Sequence, residues 1–97
     1  KLVLKNLGHY RDFISTNDIC RAIRILYQKR AVGIYNIASG EKVLISDIAK
    51  IIFKKLNKKY LIEKNLKSTC LIANIDKIKK LSWKPRDDIK KILNQLF

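Results

Sequence analysis

Segments with a helical apolar face alternate along this chain with apolar runs only a few residues long. That mismatch constrains the fold more than any other feature. Asn17 to Lys29 carries Ile19, Ala22, Ile23 and Leu26 at spacings of three and four, which is one face of a helix. Ser46 to Leu56 repeats the pattern, with Ile48, Ile52, Phe53 and Leu56 inward and Lys50, Lys54 and Lys55 outward. The extended candidates are shorter: Leu2-Val3-Leu4, Arg11 to Ser15, Ile34 to Ile37, Val43-Leu44, Tyr60 to Ile62 and Leu71 to Ala73. Asn74 is placed to cap a short helix through Leu81, and Asp87 and Asp88 open a last one with Ile89, Ile92, Leu93 and Leu96 along one side. Thr16 or Asn17 is expected to cap the first long helix, with Asp18 at the positive end of its dipole. The order β β α β α β α α predicts a small α/β domain with short strands and three to four helices. Such helices need more sheet to cover than these strands provide, so the chain reads as a piece that leans on a larger body.

At 97 residues there is room for one domain. Apolar residues make up 47% of the chain, which supports a core. No apolar run comes near the roughly 18 residues of a membrane helix, and no membrane partner is expected. The chain does not begin with Met and has no signal-peptide pattern in KLVLKNLGHY, so it is read as an excised part of something longer. Cys20 and Cys70 lack CxxC spacing and have only His9 for company, which is poor material for a zinc site. They are expected to be two buried thiols in a reducing, cytoplasmic setting. Lys plus Arg total 22 against 8 acidic residues, a formal net charge of +14 that draws polyanions or phosphate-bearing small molecules.

Catalytic patterns are scarce. Gly8, Gly33 and Gly40 are isolated and form no phosphate loop. His9 reads as a surface histidine in a turn with no partner to tune it. Trp83 reads as a core plug between helices. Arg11 stands apart. If it lies on a strand with Phe13, the two side chains share a face, and a guanidinium fork suits phosphate oxygens. An internal pairing of Arg11 with Asp12, Asp18 or another carboxylate fits the same spacing.

Taken in series, RDFISTNDI, GIYNIASGEKVLISDIAKII and LIANIDKIKKLSWKP resemble the C-terminal third of NAD-dependent epimerase/dehydratases. These are extended short-chain dehydrogenase/reductases acting on nucleotide sugars. The resemblance implies the small α/β substrate-binding domain of a two-domain enzyme. It implies that the Rossmann domain, with its bound NAD or NADP and its catalytic Tyr-x-x-x-Lys, is missing. This chain alone is then expected to bind no cofactor or metal, hold no catalytic residue and show no turnover. By the same resemblance, Arg11 anchors the diphosphate of a nucleotide sugar, Phe13 lines that pocket and Ile45 lies against the base. Lys64 meets a phosphate where the family has the Arg of an Arg-x-x-Asp element. The intact enzyme is expected to be a homodimer. Several positions depart from the family pattern. Lys67 replaces the Asp, Asn74 stands for another Asp, Ala38 and Ser82 stand for glycines, and Leu44 sits where Ser or Thr usually caps a helix, leaving Ser46 for that task. The rival reading is a small basic nucleic-acid-binding module. It lacks an RNP-like aromatic strand, a helix with periodic Arg and a GxxG loop, so nucleic acid is not the expected partner.

Overall fold

A computed structural model describes residues 2–97. Five short strands and four helices follow one another: β1 Leu2–Leu4, β2 Tyr10–Arg11, α1 Thr16–Gln28, β3 Val43–Leu44, α2 Ile45–Leu56, β4 Tyr60–Ile62, β5 Cys70–Leu71, α3 Asp76–Lys79 and α4 Ile89–Leu96. The strands form two small sheets. β1 pairs in parallel with β4, Val3 opposite Leu61. In the other sheet β2 is central, antiparallel to β3 and parallel to β5. The chain is a slab whose Cα atoms extend 52 × 30 × 13 Å.

The expected α/β class and the two long helices are present, but several boundaries differ. The strand expected over Arg11 to Ser15 stops at Arg11. Asp12 turns its carboxylate onto the loop around Ser39 instead: Oδ1 accepts from Ser39 N at 2.8 Å and Ser39 Oγ at 2.6 Å, and Oδ2 accepts from Gly40 N at 2.8 Å. Ala73 N also donates to Oδ2, at 3.4 Å. Gly40 can serve this turn because its φ of 74° disfavours any side chain. Ile34 to Ile37 forms no strand. Side chains hold it: Lys77 Nζ donates to Ile34 O and Asn36 Nδ2 to Asn74 O. The strand expected over Leu71 to Ala73 is displaced to Cys70–Leu71. The helix expected from Asn74 to Leu81 spans only Asp76–Lys79, although Asn74 Oδ1 does accept from Asp76 N.

Ser15, not Thr16 or Asn17, caps α1, accepting from Asp18 N at 3.0 Å. α2 begins after Leu44 with no side-chain cap, so Ser46 does not take that role. Asp88 caps α4 by accepting from Lys91 N. Cys20 and Cys70 are both exposed, which corrects the expectation of buried thiols. Cys20 lies on the outer side of α1, and Cys70 lies on a strand that no other strand covers on its far edge.

The main core cluster is Ala22, Ala38, Ile75, Ile78 and Trp83, flanked by Ile14, Ile25 and Leu26, with Ala49 and Leu93 buried outside it. Trp83 is the expected plug, 1% exposed. Its indole N–H donates to the backbone oxygen of Asp18 at 3.2 Å. Asp18 is the hub of this corner. Its carboxylate accepts from Arg21 Nη2 at 2.7 Å, Arg86 N at 3.0 Å and Asp87 N at 2.9 Å. Asp87 in turn accepts from Ser15 Oγ and pairs with Lys91 at 2.9 Å. The two residues Asp18 and Asp87 thereby tie the start of α1 to the entry of α4, which sequence spacing alone did not reveal.

Candidate functional site

β2 is the strand that positions Arg11. In register, Arg11 lies opposite Val43 on one side and Leu71 on the other, while Tyr10 lies opposite Leu44 and Cys70. Side chains alternate across a sheet, so Arg11, Val43 and Leu71 share one face. Leu71 is 63% exposed, which marks that face as uncovered. The guanidinium is half-buried. Its Nη1 donates to Tyr10 O at 2.7 Å and to Thr69 O at 3.4 Å. Among the described residues no ion pair includes Arg11. Its charge is therefore not neutralised by Asp12 or Asp18, whose oxygens are committed elsewhere.

Ile45 comes close to this face. It is the first residue of α2, and its N–H donates to His9 O at 2.9 Å, two ladder positions along from Arg11. Phe13 is half-buried and lies beyond the end of β2, so strand alternation does not govern where its ring points. Lys64 is exposed in the loop between β4 and β5. That loop is pinned to β2: Tyr10 N donates to Thr69 O at 2.8 Å. Asn65 Nδ2 donates to Gly8 O and to Lys67 O, and a Cβ at Gly8 would collide with the Asn65 amide. The structure thus puts Arg11 on β2 and Ile45 at the start of α2, tied to the same strand through His9 O, and pins the Lys64 loop to β2.

His9 has partners after all, contrary to expectation. Nε2 lies 2.7 Å from Asn6 Oδ1, and Nδ1 accepts from Thr69 N at 3.1 Å. An acceptor at Nδ1 and a carbonyl at Nε2 fit the Nε2–H tautomer, with Thr69 Oγ1 donating to Nδ1 at 2.8 Å. Val43, Leu71 and the His9–Thr69 pair were not singled out from the sequence. Their only signal was their place in short apolar runs and turns.

Tyr60 and Lys64 do stand at Tyr-x-x-x-Lys spacing, which corrects the expectation that the pattern is missing. The spacing brings side chains together only on a helix, where residues four apart are neighbours. Tyr60 instead begins a strand and its ring stacks on Phe53, with centroids 4.9 Å apart. An extended run of four residues spans about 13 Å. Tyr60 and Lys64 are thus not arranged to share a proton. The cavities beside α2, of about 490 and 330 Å³, are lined by none of Arg11, Phe13, Ile45 and Lys64. Among the described residues no cluster of His, Cys, Asp and Glu could hold a metal.

The geometry defines a small α/β slab with an uncovered sheet face that carries an unneutralised guanidinium. Solved proteins share that fold. RMD from Pseudomonas aeruginosa, complexed with NADPH, superposes with a TM-score of 0.78 at 21% identity, over 96% of this chain and 32% of that one. MoeE5, in complex with UDP-glucuronic acid and NAD, superposes with a TM-score of 0.67 at 17% identity, over 95% of this chain and 34% of that one. The chain spans about a third of the length of each. No family model and no curated protein matches it.

Proposed function

We propose that this chain is the nucleotide-sugar-binding part of an NAD(P)-dependent epimerase, dehydratase or reductase of the extended short-chain dehydrogenase/reductase class. The observation that carries the reading is Arg11, a guanidinium on an open sheet face with carbonyl contacts and no carboxylate partner. The fold shared with two nicotinamide-dinucleotide complexes, one of them also holding a nucleotide sugar, supports it. Arg11 grips the diphosphate, and Lys64 adds a point charge from its loop. Phe13 and Ile45 wall the nucleoside. NAD or NADP is held by a Rossmann domain elsewhere in the polypeptide and supplies hydride exchange with the sugar. The anchor fixes the reacting carbon from a distance, which lowers the entropy cost of that transfer. The 97 residues alone bind the sugar nucleotide weakly and turn nothing over.

Titration calorimetry of the complete polypeptide with UDP-glucuronic acid and other nucleotide sugars tests this. Arg11→Ala removes charge-assisted hydrogen bonds worth about 1.5–3 kcal/mol, so affinity falls roughly 10- to 150-fold while the melting temperature holds. Equal affinity in wild type and variant would place the phosphate site elsewhere.

A further inference from the structure

The positive charge is concentrated at a second place, far from Arg11. α2 starts beside β2 at Ile45, but its lysines gather at the opposite end, about 14 Å along the helix axis at about 1.5 Å per residue. Lys54, Lys55 and Lys90 rim a cavity of about 490 Å³ with Ile51 and Asn94. Lys54 also rims a second cavity of about 330 Å³, with Lys58 and Lys59. The two hollows adjoin at Lys54 along one side of α2. The wall of the second hollow is the stacked pair Phe53 and Tyr60.

The helix dipole accounts for Lys54 and Lys55 in the last turn of α2, but not for Lys58, Lys59 and Lys90. Within α2, Lys50 and Lys54 are four apart, so like charges neighbour one another there, while Lys58 and Lys59 lie beyond its end. The left-handed Asn57, with φ 53° and ψ 43°, ends α2 and sends Lys58 and Lys59 back along its flank. Asp47 offsets only Lys50, at 3.8 Å. Among the described residues, Lys54, Lys55, Lys58, Lys59 and Lys90 have no carboxylate partner. Lys55 is held across the groove by Asn94 Oδ1 at 2.6 Å, which keeps its charge at the rim.

We propose that this groove binds a single-stranded nucleic acid, with phosphates on the five lysines and a base against the Phe53–Tyr60 pair. A concave, lysine-rimmed path with an aromatic wall suits a strand of alternating charge and flat rings. A flat lipid surface would engage the lysines but leave the recessed rings unused. The site is separate from the Arg11 face and stands or falls independently of the nucleotide-sugar reading.

Fluorescence anisotropy with labelled oligouridine and the complete polypeptide tests it. Five phosphate contacts on a single strand give a log–log salt slope of about −3.5, so affinity falls about a hundredfold between about 50 and 200 mM salt. The triple variant Lys54→Gln, Lys55→Gln, Lys58→Gln keeps its thermal melt and cuts that salt effect to about sevenfold. Phe53→Leu, which preserves an apolar side chain at the helix face, weakens oligouridine about fivefold or more but leaves inorganic polyphosphate unaffected. Absence of binding at low salt, an unchanged triple variant, an unchanged Phe53→Leu variant, or full displacement of oligouridine by vesicles of anionic phospholipid would each overturn the proposal.

Discussion

Replacing Asp12 by Asn keeps its size and removes its charge, yet its two oxygens receive four donors from Ser39, Gly40 and Ala73. An amide nitrogen in place of either oxygen faces a donor with a donor. Asp12→Asn should therefore destabilise the fold by about 1–3 kcal/mol, read from urea unfolding. If stability is unchanged, the carboxylate is not the staple that ends β2. The neighbouring residues Arg11 and Asp12 thus divide their duties, one turned to the open face and one to the loop. Arg11 was legible as a candidate because a charged residue leading into the apolar Phe13-Ile14 run needs a reason. Asp12 was not, because its donors lie 27, 28 and 61 positions away, and no spacing rule reaches that far. The Tyr60–Lys64 spacing makes the same point in reverse, since a motif has its chemistry only on the element that brings its ends together.

Helix starts carry most of the long-range order between elements. Ser15 caps α1 and also donates to Asp87, so Ser15→Ala loses both the cap and a buried partner, about 1–2 kcal/mol by chemical denaturation. Asp18 is more costly to alter. Asp18→Ala leaves Arg21, two backbone N–H groups and a buried corner without their acceptor, and should cost about 3–5 kcal/mol. The carboxyl of Asp18 is pulled upward by burial, but the N–H groups of Asp87 and Arg86, the Arg21 guanidinium and the Ser15 hydroxyl outweigh that and hold it below 3.8. Lys91 and the Ser15 hydroxyl hold Asp87 below 3.8 as well, against burial and the charge of Asp18. Both native values are depressed, so their stabilisation is present above the ordinary 3.8 and is lost as pH falls through the lower native values. Acid titration of the circular dichroism signal should show a plateau down to about pH 4 and a decline below it. Asp87→Asn should flatten that decline. The helices themselves were legible through their three- and four-residue periodicity, although Ile23 and Leu56, expected on the apolar faces, are exposed. The strands of two and three residues were not bounded correctly, because a ladder that short is set by its neighbours rather than by its own residues.

The whole molecule is larger in outline than its length warrants. A radius of gyration of 16.2 Å compares with about 12.5 Å for a compact domain of this length. Its accessible surface of 7442 Å² compares with about 5,700 Å² for a compact monomer of 11.3 kDa. The excess, about 1,700 Å², is of the order that one partner gives to an extensive interface. Part of it is apolar: Val3 and Leu61 share a face of the β1–β4 sheet and are both exposed. Parallel strands are ordinarily covered on both faces. The isolated 97 residues should therefore bind a hydrophobic dye and associate beyond a dimer in analytical ultracentrifugation, and a polypeptide in which a further domain covers this surface should do neither. A monomeric, dye-silent fragment would count against a covering domain. The surplus of helix over sheet, visible in the sequence, is the origin of this shape. A plate with a Cα thickness of 13 Å is one helix and one sheet deep, so it has no interior in which to enclose a sugar nucleotide. Under the proposed function, whatever lies against Arg11 is a filling between this plate and a second one, touching both at once. Such a filling acts as mortar: its departure should loosen the joint between the halves, and its arrival should raise the temperature at which they melt as one.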